Sequence, residues 1–215
     1  MKKICLLICL LLMMNVPCAL AKEPVPVAVM DFALPQGISS TELAVDGSYT
    51  GVGDFIIKEL LTDKRFNLVD KALYSAQLVD ENVRTVGIID QESARKIGKI
   101  MNVRYIIYGN VTELGNDTNE NGIIGIGVDL HNVKAKVTLR MLDVQTGDIL
   151  LVVSGEGKSE SSNVKVGVNK DYGLKFGTSL VSSISAYNAI QKAAVNVIKI
   201  FKEKYLKMEE YRYEK

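Results

Sequence analysis

Nine consecutive residues, Val103-Arg104-Tyr105-Ile106-Ile107-Tyr108-Gly109-Asn110-Val111, constrain this chain more than any others. They are rich in β-branched and aromatic side chains with almost no polar interruption. Successive side chains of a strand point to opposite faces, so a strand with one face in water alternates apolar and polar residues. A near-continuous apolar run reads instead as a strand buried on both faces. Such a strand needs helices above and below it. The pattern therefore predicts a covered sheet with this segment at its centre.

The flanking sequence supplies the other pieces. After the stiff lead-in Pro24-Val25-Pro26, residues 27–32 (Val27-Ala28-Val29-Met30-Asp31-Phe32) read as a first strand. A loop rich in Gly, Ser and Thr over 35–53 precedes a helix over 54–62, whose Phe55, Ile56, Leu60 and Leu61 share one side. Residues 66–70 read as a short strand, followed by helical pieces at 72–81 and 90–101. In the second piece Asp90 is the N-cap, and Ala94, Ile97, Ile100 and Met101 form the apolar stripe. Beyond the central strand, a polar loop over 115–122 leads into a long strand over 123–144. Its apolar phase slips by one residue between Leu130 and Val133, which predicts a bulge or bend near His131 and Asn132. Gln145-Thr146-Gly147-Asp148 is a tight turn, and 149–154 returns antiparallel. A helix over 179–211 closes the chain, with a stripe of Ile184, Tyr187, Ile190, Ala194, Val197, Phe201, Tyr205 and Met208. The fold class is α/β: a mixed sheet flanked by helices, with a long C-terminal helix.

Residues 1–21 stand outside that domain. Lys2 and Lys3 precede a leucine-rich apolar run from Ile4 to Met14, then Pro17 and the small-x-small site Ala19-Leu20-Ala21. This is the layout of a secretory signal peptide cleaved before Lys22. The run is about eleven residues, short of the roughly 20 that a spanning helix requires. Cys18 invites a lipid, but Asn15 and Pro17 occupy places where lipid attachment wants leucine and a small residue, so simple cleavage is expected. The domain division is thus 1–21 signal peptide, 22–201 a single α/β domain, and 202–215 a charged helix end, either solvated and frayed or a partner-binding tail.

All three cysteines, Cys5, Cys9 and Cys18, fall in the leader, so the mature chain is expected to hold no disulfide and no thiolate site. Of 26 basic residues, losing Lys2 and Lys3 leaves 24 against 25 acidic ones, a balance that gives nucleic acid no electrostatic purchase.

Candidate chemistry is sparse. Asp117, Asn119 and Asn121, with Gly122, open like a calcium loop, in which alternate oxygens wrap one cation. The glutamate due at the twelfth place is Val128, and turns rich in Asp and Asn bond their own backbone without metal. No bound metal is expected. Gly51-Val52-Gly53 before a helix hints at a phosphate cradle, but Ile56 stands where the third glycine belongs. His131 is the only histidine, which excludes a histidine pair within the chain. Asp31, Asp70 and Asp143 sit near strand ends, where converging carboxylates act as acid and base. More often such aspartates bond backbone amides or nearby lysines. No catalytic or cofactor-binding residue is expected.

The ordered set of Val27 to Phe32, Gly51 and Gly53 ahead of a helix, Phe66 to Asp70, Ala94 to Gly98, Tyr105 to Thr112 and Leu139 to Leu150 resembles the curli-secretion component family, CsgG. The resemblance implies a mixed sheet flanked by helices, an envelope location in the periplasm or at the outer membrane, no cofactor, and no catalysis. It further implies envelope or outer-membrane proteins as partners, with a homo-oligomer as the alternative. Members at the outer membrane form rings in which each subunit lends two β-hairpins to a shared barrel. Two features separate this chain from those pore subunits. The lipid site is missing, and the arm 115–122 is wholly polar, unable to face lipid beside the alternating 124–130. In the second hairpin region, 159–177, Lys170 interrupts the apolar side. The expected function is an accessory binding role in secretion or assembly of surface material. The alternatives are the pore subunit, a regulator of a penicillin-binding protein, and last a hydrolase.

Overall fold

The computed structural model describes residues 23–44, 50–83, 85–116, 130–162, 173–176 and 179–213. Along them run β1 (Val25–Val29), α1 (Val52–Leu60), β2 (Phe66–Val69), a 3-10 turn (Lys71–Tyr74), α2 (Ser75–Asp80) and α3 (Gln91–Met101). There follow β3 (Tyr105–Asn116), β4 (Leu130–Asp143), β5 (Ile149–Ser162), β6 (Gly173–Phe176), β7 (Ser179–Ser182) and α4 (Ser183–Tyr213).

Five strands form one sheet in the order β2-β1-β3-β4-β5, with β6 and β7 paired separately. β1 is parallel to both β2 and β3, whereas β3, β4 and β5 are antiparallel in turn. The apolar run therefore lies in the middle strand, as its composition requires. Tyr105 and Ile107 enter one core with α1 and α4; Ile106 and Tyr108 enter a second core with α3.

α3 is bounded as its sequence dictates. Asp90 accepts the Ser93 amide (2.9 Å) and hydroxyl (2.8 Å), and Asn102 ends the helix in the left-handed region at φ 51°. These bonds hold the Asp90 carboxyl below its ordinary 3.8. A carboxylate so lowered stabilises the fold fully above the ordinary value and loses that contribution as pH falls through the lowered one. Asp90→Ala is thus expected to cost about 1 kcal/mol at neutral pH. In urea unfolding, the gap from the parent should narrow as the buffer is taken below pH 3.8.

α4 lies against the sheet through small residues. A Cβ on Gly155 would stand 2.3 Å from Val197 N, and one on Gly157 would stand 2.2 Å from Ala189 O. Ala186, Ala189, Ala193 and Ala194 are buried at that contact, whereas Ile184 is 57% exposed and Tyr187 only half-buried. The predicted stripe is buried at Ile190, Ala194, Val197, Phe201 and Tyr205, and the alanines beside it let the helix approach; only its first position, Ile184, faces outward. Farther along, Tyr205 meets Phe66 at 4.8 Å and Phe201 at 5.9 Å. α4 also closes part of the free edge of β5: Asn196 donates to Glu156 O (2.7 Å) and Lys192 to Lys158 O (2.9 Å).

Several boundaries differ from expectation. β5 continues to Ser162 because its inward positions past Val153 are Gly155 and Gly157, which carry no apolar signal. Ser179–Ser182 pair with Gly173–Phe176 and do not begin the helix. β3 takes in Gly115 and Asn116 from the predicted loop. Leu61 caps α1 and is 70% exposed, outside its apolar side. No bulge occurs at His131 and Asn132, since β4 pairs with β5 without a break from Leu130 to Met141. The register slips instead between Val111 and Glu113 on β3, and beside Met141 and Leu142 where β5 carries an extra residue. Residues 123–129, which hold the earlier apolar phase, lie outside the described residues.

Candidate functional site

The three strand-end aspartates do not converge. Asp143, on β4, pairs in register with Tyr105, which pairs with Val27 in the middle of β1; Asp31 and Asp70 follow the ends of β1 and β2, two and three strands away. A catalytic pair that includes Asp143 would have to reach across at least one intervening strand.

Each aspartate also has structural work. Asp31 forms an ion pair with Lys71 and remains half exposed. Asp70 accepts the Ala72 amide at 2.9 Å, capping the 3-10 turn. Asp143, with its side chain 3% exposed, accepts Arg104 Nη2 at 2.7 Å and the Gln145 amide at 2.8 Å. It also accepts the Thr146 amide at 3.4 Å. Arg104 further donates to Gln145 Oε1, and Arg95 to Thr146 O at 3.0 Å, so two guanidiniums clamp the β4–β5 turn. Gly147 adopts φ 81° in that turn, where a side chain would be strained.

The glycine pair ahead of α1 is likewise structural. Asp54 accepts the Gly51 amide at 3.0 Å, placing a carboxylate where a bound phosphate would need a donor. A Cβ on Gly53 would meet Met30 O at 3.0 Å, so this glycine lets α1 approach the end of β1.

Asp117, Asn119 and Asn121 lie outside the described residues, as does Lys170. Among the described residues no three His, Cys, Asp or Glu side chains gather as a metal site. His131 is a backbone partner of Ser161 within β4–β5.

Two surface features take shape only in the fold. On the sheet face opposite α4, Glu113 and Glu156 flank Lys134 and Lys136, with contacts of 3.1 to 3.9 Å. This ladder joins three strands that are remote in sequence, and its alternating signs give the face no excess of either charge. Exposed pairs of this kind add little stability. The second feature is a hollow of about 390 Å³ between the lead-in to β1, the turn at 63–65 and the last third of α4. The charged residues over 202–215 read as a solvated end, yet Tyr205 is buried and Glu209 and Glu210 line the hollow. The signal was Tyr205 itself, which continues the apolar stripe past residue 201.

The fold defines an α/β domain whose three strand-end aspartates are engaged in an ion pair, a cap and a clamped turn. The chain belongs to the family of the curli production assembly/transport component CsgG, whose model matches residues 15–214. No curated protein matches it. Among solved structures, it is similar to the LpoB C-terminal domain from Salmonella enterica, with 15% identity over 66% of this chain and 87% of that one and a TM-score of 0.40. It is also similar to a hypothetical protein from Chlamydia trachomatis (11%, 85% and 95%, TM-score 0.48). A third is the PelC dodecamer from Paraburkholderia phytofirmans (14%, 83% and 87%, TM-score 0.40).

Proposed function

We propose that this protein is exported, loses residues 1–21, and works without catalysis as an accessory binding protein in secretion or assembly of surface material of the curli type. Its partners are envelope or outer-membrane proteins, and its place is the periplasm. Family membership over residues 15–214 supports the setting. The observation that carries the non-catalytic reading is the engagement of Asp31, Asp70 and Asp143 in an ion pair, a cap and a clamped turn. A carboxylate fixed by a guanidinium and backbone amides is poorly placed to shuttle protons.

A second reading, a pore subunit, has one specific observation in its favour. Asn116 pairs with Val133 and Leu130 pairs with Ser162, so the strands flanking residues 117–129 and preceding 163–172 end on one side of the sheet. Two hairpins for a shared barrel would start there. Among the described residues no helix is long and apolar enough to cross a membrane, which says nothing about strands.

Osmotic-shock fractionation with N-terminal sequencing tests the proposal. The expected result is release with the periplasmic contents of a chain beginning at Lys22. Retention in the membrane until detergent is added would favour the pore, and stoichiometric capture of a penicillin-binding protein would favour regulation of wall synthesis. Turnover of a hydrolysable substrate by the purified chain, abolished by Asp31→Asn, would end the non-catalytic reading.

A further inference from the structure

We propose that the hollow beside the last third of α4 is a docking pocket for a basic, apolar segment of a partner protein. Its floor is apolar, formed by Val25, Tyr205 and Leu206, the last 47% exposed. Carboxylates flank that floor from two elements: Glu23 precedes β1, and Glu209 and Glu210 follow Leu206 on α4. The lining holds four carboxylates and two cations, a net formal charge of −2. One of those cations is engaged within the wall. Arg65 donates to both oxygens of Asp63 at 2.9 and 2.5 Å, and its guanidinium lies 5.7 Å from the centroids of both Phe66 and Tyr205.

The wall is preformed: Tyr205 is packed on Phe66, and Arg65 is fixed by Asp63 and two rings, so these side chains have little freedom left to lose on binding. An aliphatic or aromatic side chain would displace water from Val25 and Leu206. Lysine or arginine on either side of it would meet Glu23 and Glu210, both exposed, and Glu209, half-buried, so that charge sign selects the segment while the apolar floor holds it. An acidic segment would bring like charges together at the same rim. Carboxylates on both sides of one apolar hole fit cations on both sides of one anchor, which a peptide supplies and a simple amine does not. This inference rests on the binding role proposed above.

Amide-shift titration by NMR of the mature chain with acetyl-Lys-Leu-Lys-amide and acetyl-Glu-Leu-Glu-amide tests it. The lysine peptide is expected to bind about tenfold or more tightly than the glutamate peptide, and to lose about tenfold on Glu209→Gln/Glu210→Gln. Leu206→Ser should weaken it by about fivefold, with the melting temperature lowered by no more than about 4 °C because Leu206 is half exposed. Equal binding of the two peptides, or variants that bind like the parent, would overturn the proposal. So would dimerisation abolished by Leu206→Ser without peptide binding, which would make a second copy the occupant. If peptide binding fails while osmotic shock still releases the chain, the pocket alone is refuted. Failure of the wider binding role would be read separately, as substrate turnover or detergent-dependent rings.

Discussion

Gly157→Ala is expected to lower the unfolding free energy by about 3 kcal/mol or more, and the melting temperature by about 6–12 °C. The added Cβ would lie 2.2 Å from Ala189 O, 2.3 Å from Ala193 N and 2.8 Å from Lys192 Cβ. Two of these are helix backbone atoms, which cannot yield by a rotamer change. α4 must lift from β5, and its displacement would be felt at Val197, Ile198 and Phe201, all of which are buried. Gly115→Ala in the same sheet is the control. Nothing lies within 4 Å of its Cβ, and the change should stay within about 0.5 kcal/mol. Thermal and urea unfolding followed by circular dichroism would read both. A Gly157→Ala protein as stable as the Gly115→Ala one would mean that α4 does not sit on β5 at this distance.

Asp143→Ala is the second large effect, a loss of about 2–4 kcal/mol. The carboxylate is buried and gathers one guanidinium and two turn amides, so truncation strands three donors at once. The estimate falls toward the lower part of the range for broken buried pairs because the Arg104 side chain is 34% exposed and can turn to water. A double-mutant cycle with Arg104→Ala separates the contributions. A coupling of about 1.5 kcal/mol or more assigns the cost to the ion pair; a coupling near zero assigns it to the amides of Gln145 and Thr146. An Asp143→Ala protein with unaltered stability would contradict the clamped-turn account. It would also free Asp143 for another role.

The parts of the fold that could be read from the sequence are those whose signals are local. Ile106 and Ile107 announce burial on both faces, and both are fully buried in the central strand. Asp90 announces a cap, and Gly147 a turn. What escaped depends on partners remote in sequence. Gly155 and Gly157 extend β5 only because α4, some 40 residues later, comes to rest on them; alone they read as a loop. The Glu113, Lys134, Lys136 and Glu156 ladder needs the register of three strands before its members meet. Asp143 could be suspected of bonding amides, but its pairing with Arg104 follows only from β3 and β4 lying side by side. The acidic hollow needs Glu23, the turn at 63–65 and α4 to come together from distant parts of the chain; its one local signal is the apolar stripe, which continues to Tyr205.

The mass of the native species taken from the cell envelope, measured with and without detergent, bears most directly on the central claim. The account predicts a water-soluble chain that begins at Lys22 and whose mass, alone or with a bound partner, is unchanged by detergent. A species recovered only in detergent, at the mass of a ring of many copies, would contradict it and make this protein part of the conduit itself.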